Sequence, residues 1–259
     1  MKSFIGTAII SIILFSLHGN VFSGENQITE FHEPFGIDLD NSQKMLGNED
    51  VQKVNFLVDF SDYSGGSVDE WLKSKGFHFY QGAKNRKLIE LSVHEGALIV
   101  KAQEPVRGFI FNDSINLKEF SKVRIEWGIN RYPKDASYER KKNNEALSVY
   151  VFFGYSKLSS GSFIMPGCRY FISLFLSKDD EINKPYLGRY YHKGGRFVCL
   201  GNPKPNEMAI SEFDLVRAFR AYFNDEVPVI SGISLGIDTS SSGDGGKAAA
   251  FIKRIEFLN

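Results

Sequence analysis

A period-two alternation of apolar and polar residues is the feature that most limits what this chain can fold into. The segment 122–129, KVRIEWGI, places its apolar side chains at odd positions and its polar or small residues at even positions. A strand with this pattern buries one face and wets the other, as strands of antiparallel sheets do. The segment 88–102 alternates on both sides of Glu95-Gly96, which predicts a hairpin. The chain is therefore predicted to build antiparallel sheets.

Two strand-like segments, 147–153 (LSVYVFF) and 170–176 (YFISLFL), are apolar on both faces. Such strands lie in the middle of a sheet, and we expect both of their faces to be covered. Period-two patterns and turn residues predict the remaining strands and one more tight hairpin. These strands are 54–60, 186–192, 196–200, 230–237 and 249–258, and the hairpin turns at Lys193-Gly194-Gly195.

One segment has helical spacing instead. Ser211 to Asp214 resembles a capping box, and apolar residues then recur at helical intervals up to Phe223. Pro228 follows closely and prevents the helix from continuing. One short helix among about ten strands predicts an all-β fold, an antiparallel, jelly-roll-like β-sandwich. Residues 54–259 are expected to form it as a single domain.

The N-terminal residues 1–23 have the pattern of a secretory signal peptide, with Lys2 before an apolar run and small residues at the predicted cleavage site after Ser23. The apolar run is shorter than the roughly 20 residues of a membrane-spanning helix. Residues 24–53 follow as an acidic, poorly ordered leader. The mature protein is therefore predicted to be periplasmic or secreted, with no membrane span after signal cleavage.

The charge balance of the chain and the catalytic motifs that it lacks limit the functions that we expect. The chain carries 31 basic and 31 acidic side chains, and this balance argues against a nucleic-acid partner bound through phosphate neutralisation. The sequence contains neither a G-x-S-x-G nucleophile elbow nor the paired histidines of a zinc helix. We therefore expect no cofactor, and an enzyme is the less favoured interpretation.

A ligand-binding site is predicted where aromatic and cationic side chains crowd together. Arg189, Tyr190 and His192 lie within one segment, and Arg169 opens a neighbouring predicted strand. Sugar rings stack on aromatic faces, and an arginine can fix their hydroxyl groups. A tyrosine or histidine base beside such an arginine would also serve a polysaccharide lyase. The alternative is that the tyrosines only fill one face of a sheet.

The loop 238–247 (DTSSSGDGGK) suggests calcium through Asp238 and Asp244, because calcium prefers carboxylate and carbonyl oxygens. The loop does not have the spacing of an EF-hand, and a solvated hairpin loop is the alternative.

A disulfide between Cys168 and Cys199 would close a loop and stabilise the folded protein by roughly 3–4 kcal/mol. A three-strand meander would place them on its first and third strands, about 9–10 Å apart and beyond disulfide reach. Two buried thiols are therefore an equally open interpretation.

Four segments together resemble the exported bacterial family catalogued as domain of unknown function 3047. They are ALIVKAQ at 97–103, SKVRIEWGINRYP at 121–133, NNEALSVYVFF at 143–153, and 211–238. Their order and spacing carry the resemblance, which covers about 54–259. The chain departs from the family pattern at Asn143-Asn144, where two adjacent acids are expected, and at Ser148, where an arginine is expected. The resemblance implies an exported β-sandwich and supplies no activity.

Export, a sandwich pattern and abundant aromatic residues together favour a non-catalytic module that binds a glycan or another cell-envelope ligand. A polysaccharide lyase or hydrolase on a jelly-roll fold is the second hypothesis. A structural envelope protein without a small ligand is the third, and a large exposed apolar patch would favour it.

Overall fold

The computed structural model describes residues 52–163 and 166–259, which form a β-sandwich of two sheets. The strands in these ranges are, in chain order, β1 (Val54–Asp59), β2 (His78–Gln81), β3 (Ile89–His94), β4 (Ala97–Ala102), β5 (Arg107–Asn112), β6 (Lys122–Arg131), β7 (Glu145–Leu158), β8 (Cys168–Phe175), β9 (Pro185–Tyr186), β10 (Gly195–Cys199), β11 (Met208–Asp214), β12 (Ile230–Asp238) and β13 (Ala248–Leu258). The α-helices are α1 (Val68–Ser74) and α2 (Leu215–Phe223).

The first sheet has the strand order β11-β6-β13-β4-β3. Strands β4 and β1 both pair with the same edge of β13, one after the other along its length. Strand β4 pairs with positions 248–252 of β13, and β1 pairs with positions 254–258. In β6 the odd-numbered apolar residues are fully buried, as the alternation predicts. Among them is Trp127, whose indole N–H donates a hydrogen bond of 3.1 Å to the Ser211 hydroxyl.

The second sheet has the order β2-β5-β12-β7-β8-β10-β9. It is antiparallel except between β8 and β10, which run parallel. Its inward-facing residues, such as Val149 and Val151 of β7, join those of the first sheet in one hydrophobic core. The prediction of an all-β, antiparallel sandwich is confirmed apart from the parallel pair of β8 and β10.

The predicted tight hairpin at 193–195 is wrong, because the antiparallel partner of β10 is the two-residue β9, with Tyr186 opposite Phe197, and not a strand over 186–192. The chain after Tyr186 runs as a loop to Gly195 and enters β10 beside β8. This parallel register places Cys199 opposite Phe175, at the end of β8, whereas Cys168 begins that strand. At the usual rise per residue the two positions are about 23 Å apart. Both cysteines are free thiols, so of the two open interpretations the disulfide does not hold; Cys199 is buried and Cys168 partly buried.

The helix prediction is correct in place and wrong in its start. Residues 211–214 belong to β11, and Asp214 is the N-cap of α2, its carboxylate accepting a hydrogen bond of 2.8 Å from the Arg217 N–H. The described ranges also contain α1, which the sequence analysis missed. Ser67 caps α1 by accepting a hydrogen bond from the Glu70 N–H.

The predicted signal peptide (1–23) lies outside the described residues, as does nearly all of the predicted leader (24–53). Within 52–163 and 166–259, none of the helices is long and apolar enough to cross a membrane.

Candidate functional site

A cleft of about 590 Å³ lies on the outer face of the second sheet. Strands β5, β12, β7, β8 and β10 form its floor, and the segments 166–168 and 188–191 contribute to its wall. About half of its described lining residues are aromatic. They are Tyr80, Phe109, Phe111, Tyr138, Tyr150, Phe152, Phe171, Tyr190, Tyr191 and Phe197.

The aromatic floor follows from the alternation of side chains along each strand. In β7, Val149 and Val151 point into the core, so Tyr150 and Phe152 point outward. Both aromatic rings are only partly buried, because the outer face of this sheet forms an open cleft. The expectation that both faces are covered is confirmed for 170–176, where every residue from Phe171 to Leu176 is buried. It is wrong for 147–153 at Tyr150 and Phe152, which are partly exposed on the floor of the cleft.

The rings form a continuous surface across neighbouring strands. The Phe111 ring lies 5.2 Å from that of Phe152, and Phe152 lies 6.0 Å from Phe171. Tyr150 lies 5.4 Å from Phe171, which in turn lies 5.6 Å from Phe197. Edge-on and tilted contacts at these distances stabilise aromatic pairs beyond the area they bury, and they hold the floor in one arrangement.

Two strand glycines let the rings lie close to the sheet. A Cβ added at Gly236 of β12 would lie 2.5 Å from the Tyr150 ring, and one added at Gly195 of β10 would lie 2.4 Å from the Phe171 ring. Real side chains do not approach so closely. The lack of a side chain at these positions is therefore part of how the floor is built.

An ion pair fixes the polar end of the cleft. The Arg107 side chain at the start of β5 contacts the Asp238 carboxylate at the end of β12, with Nε and Nη2 both 2.5 Å from Oδ2. The other carboxylate oxygen accepts hydrogen bonds from the Ser240 N–H at 3.0 Å and the Ser240 hydroxyl at 2.6 Å. Both carboxylate oxygens of Asp238 therefore have hydrogen-bond partners within the protein.

A second acid, Glu145, lies beside this ion pair. Glu145 is the cross-strand partner of Asp238, its side chain is almost completely buried, and it accepts a hydrogen bond from the Tyr138 hydroxyl. Burial, reinforced by the negative charge of Asp238, raises the pKa of Glu145 to about 8. Burial likewise raises the pKa of the Tyr138 hydroxyl well above its usual range. Burial therefore favours the neutral form of both groups at neutral pH.

The structure brings together some of the residues predicted for a ligand site and separates others. Arg189 and Tyr190 line the cleft, with the guanidinium 5.4 Å from the centre of the Tyr190 ring. Arg169 does not line it. Its guanidinium donates to the Ser231 carbonyl at 2.9 Å. His192 is exposed outside the cleft, with Nε2 2.8 Å from the Gly188 carbonyl. Two of the four predicted residues therefore lie together in the cleft, and two lie outside it.

The two predicted calcium ligands are not brought together. Asp238 lines the aromatic cleft, whereas Asp244 lines a different cavity and pairs with Arg131 at 2.7 Å. Within 52–163 and 166–259, no three acidic, histidine or cysteine side chains are grouped so that they could hold a metal ion. Each aspartate has an arginine as its partner, and the described residues offer calcium no shared cage.

The sequence analysis missed Glu145, Arg107 and most of the floor. The floor does leave a signal in the apolar outer face of 147–153, but the same pattern also predicts two-sided burial, which is what 170–176 shows. Arg107 and Asp238 are 131 positions apart, and no local pattern links them.

Comparison with known proteins gives distant structural likenesses alone. No family model and no curated protein sequence matches the chain. A mutant of the family 29 carbohydrate-binding module CBM29-2 is 11% identical over 78% of this chain and 85% of its own, with a TM-score of 0.34. A second mutant, complexed with mannohexaose, is 12% identical over 78% of this chain and 91% of its own, with a TM-score of 0.34. A third, complexed with cellulohexaose, is 11% identical over 78% and 89%, with a TM-score of 0.33. Likenesses this distant carry no argument about the function of this chain.

Proposed function

We propose that the protein binds a glycan in the aromatic cleft. The observation that carries this proposal is the open aromatic floor, in which partly exposed rings such as Tyr150 and Phe152 face outward from the middle of the sheet. Exposed apolar surface in a concave site costs solubility and marks a place where a ligand binds. The flat C–H faces of sugar rings match aromatic faces in shape and polarity.

The polar groups around the floor suit the same class of ligand. Gln81 and Asn143 line the cleft with amide groups, and Arg107 contributes a guanidinium. Ligand sites combine a mainly apolar lining with a small number of polar groups that fix orientation. The volume of about 590 Å³ lies within the range of such sites and suits a short stretch of an oligosaccharide.

Two exposed tyrosines give a matched test of the proposal. Tyr80 lines the cleft and is 44% exposed, whereas Tyr155 lies on β7 outside the cleft lining and is 58% exposed. Tyr80→Ala is expected to weaken oligosaccharide binding about tenfold, because loss of one aromatic stacking surface costs on the order of 1 kcal/mol or more. Tyr155→Ala is expected to bind as the wild type does. Isothermal titration against neutral and acidic oligosaccharides measures both, and equal losses in the two variants would reject the cleft.

A second candidate function is glycoside hydrolysis, which the neighbouring carboxyl groups of Glu145 and Asp238 favour. A carboxyl group that is protonated near neutral pH beside an ionised one is the pairing that acid-assisted glycosidases use. The test is whether an oligosaccharide that binds also gains reducing ends over time, with Glu145→Gln as the control that abolishes them. Tight binding without any cleavage would exclude this candidate.

Export and family membership belong to the proposal as well. We place the mature protein in the periplasm or outside the cell, on the pattern of residues 1–23 alone. Mass spectrometry of the protein expressed with its native N-terminus tests this, and the predicted mature chain begins at Gly24. The resemblance to the exported family of unknown function stays a prediction.

A further inference from the structure

We propose that the glycan is acidic, and that Arg189 with the free part of the Arg107 guanidinium binds its carboxylate groups. The ligand class is then a glycan of uronic acids, bound with its sugar rings on the aromatic floor. This inference rests on the proposed glycan-binding function and specifies its ligand. It follows from the charges and the unused hydrogen-bond donors of the cleft.

The balance of charges in the cleft is positive. Four strongly ionisable side chains of the described lining contribute, namely Arg107, Glu145, Arg189 and Asp238. Arg107 and Asp238 neutralise each other through their ion pair. Glu145 is buried beside the Tyr138 hydroxyl and the Asp238 charge, which together favour its neutral form at neutral pH. The charge of Arg189 therefore remains unmatched, since Arg189 makes no ion pair with any residue that the structure describes.

The hydrogen-bonding groups of the cleft that have no partner are also positively charged. Arg107 uses Nε and Nη2 toward Asp238, while its side chain remains 44% exposed and its Nη1 group has no partner among the described residues. The oxygens of Asp238, by contrast, already accept from Arg107 and Ser240. The cleft therefore offers cationic donors and holds its anionic acceptors within the protein. A carboxylate supplies acceptor oxygens alone, whereas a sugar hydroxyl must also donate.

Arg189 is also held in place for this role. It lies in the loop between β9 and β10, with its guanidinium 5.4 Å from the centre of the Tyr190 ring, and both residues line the cleft. A cation–π contact limits the freedom of a long side chain without using its N–H donors. The planar guanidinium then pairs with a carboxylate through two parallel hydrogen bonds. A neutral glycan would leave this group without a partner.

Matched ligands test the inference most cleanly. The probes are hexamers of galacturonate and of mannuronate and a hyaluronan hexasaccharide, each compared with its own carboxyl-reduced form by isothermal titration. Reduction converts each carboxylate to a neutral hydroxymethyl group and leaves the backbone unchanged. We expect at least one uronate to bind about tenfold or more tightly than its reduced form, because a hydrogen bond between charged groups is stronger than one between neutral groups.

Three results would overturn the inference, and they separate it from the proposal on which it rests. If the reduced forms or a cellohexaose control bind as tightly as every uronate, the carboxylate has no role and glycan binding stands. If a sulfated galactan binds more tightly than every uronate, the anion is not a carboxylate. If the folded protein binds none of these oligosaccharides, both the inference and the glycan proposal fail.

Variants of two exposed arginines locate the contact. Arg189→Gln is expected to weaken uronate binding about tenfold and so to reduce the difference in affinity between the uronate and its reduced form. Arg217→Gln is the matched control, because Arg217 is an exposed arginine on α2 and does not line the cleft. Arg189→Lys keeps the charge without the planar pair of donors and is expected to fall between wild type and Arg189→Gln. Equal behaviour of Arg189→Gln and Arg217→Gln would overturn the assignment to Arg189.

Discussion

The outer faces of the two sheets differ sharply. On the first sheet, charged side chains pair across neighbouring strands. The Arg124 guanidinium lies 2.6 Å from the Glu212 carboxylate and 3.2 Å from that of Glu256, and Arg254 lies 3.7 Å from Glu126. On the second sheet, the equivalent face carries the aromatic floor of the cleft.

Under the proposed function, this difference separates a face that contacts only solvent from a face that binds a ligand. Cross-strand ion pairs keep a sheet face polar, and a partly exposed pair such as Arg124 with Glu212 contributes little to stability. On the opposite sheet, Tyr138 and Phe175 belong to a small buried cluster of the outer face, whereas Tyr150 and Phe152 leave apolar surface exposed beside it. The main core lies on the other side of the same strands. The second outer face is therefore where the function of this sandwich is expected.

The largest expected effect distinguishes the buried acid of the cleft from the acids of the first sheet. The pKa of Glu145 is about 8 in the folded protein against an ordinary value of 4.5, so the folded protein holds a proton that the unfolded chain has released. The contribution of Glu145 to stability is thus fully present below about pH 4.5, falls as the pH rises, and is lost above about pH 8. Each unit of pKa difference corresponds to about 1.4 kcal/mol.

Glu145→Gln removes this titration and keeps the shape of the side chain. The variant is expected to be more stable than wild type at pH 9, with a flatter dependence of the unfolding free energy between pH 5 and pH 9. Urea denaturation at several pH values measures this. Glu126→Gln, in the ion-pair network of the first sheet, is expected to keep the wild-type slope because Glu145 is still present. Parallel curves for wild type and Glu145→Gln would contradict the assignment.

The second-largest expected effect tests whether the aromatic floor depends on the lack of a side chain at Gly236. In Gly236→Ala the added Cβ would lie 2.5 Å from the Tyr150 ring, so the ring must move away from the sheet. We expect a loss of about 1–3 kcal/mol in the unfolding free energy together with weaker oligosaccharide binding. Gly201→Ala is the control, since its nearest neighbour would be the Leu176 side chain at 3.4 Å, an ordinary contact. Unchanged binding in a folded Gly236→Ala protein would show that the position of Tyr150 does not matter.

The smallest effect is expected on the first sheet. Arg124→Met removes both ion pairs of that side chain from a partly exposed position. The unfolding free energy is expected to fall by about 1 kcal/mol or less, and glycan affinity to stay unchanged. Thermal denaturation and titration with the same oligosaccharide measure the two quantities. A loss of affinity here would remove the functional distinction between the two faces.

The sequence predicts much of the fold, because alternation reports directly on faces. Strand β6 and the hairpin of β3 and β4 lie where their patterns predict them. The prediction fails where glycines serve packing as well as turns. Lys193-Gly194-Gly195 was interpreted as a hairpin, yet Gly195 begins a parallel strand and lies beneath the Phe171 ring.

The site is harder to predict because its parts are far apart in the chain. Arg189 and Tyr190 were found from a local crowd of aromatic and cationic residues. Glu145 is a single acid at the start of an apolar strand, and only the register of β7 with β12 places it beside Asp238. An apolar strand face has the same residue pattern whether another layer covers it or a ligand does.

The central claim is that ligand binds on the outer face of the second sheet. Fluorine NMR of the protein labelled with fluorotyrosine tests it directly during titration with an oligosaccharide that binds. The account predicts shifts for Tyr80, Tyr150 and Tyr190, which line the cleft, and none for Tyr63 and Tyr155, which do not. Shifts confined to Tyr63 or Tyr155, with the cleft tyrosines unchanged, would contradict it.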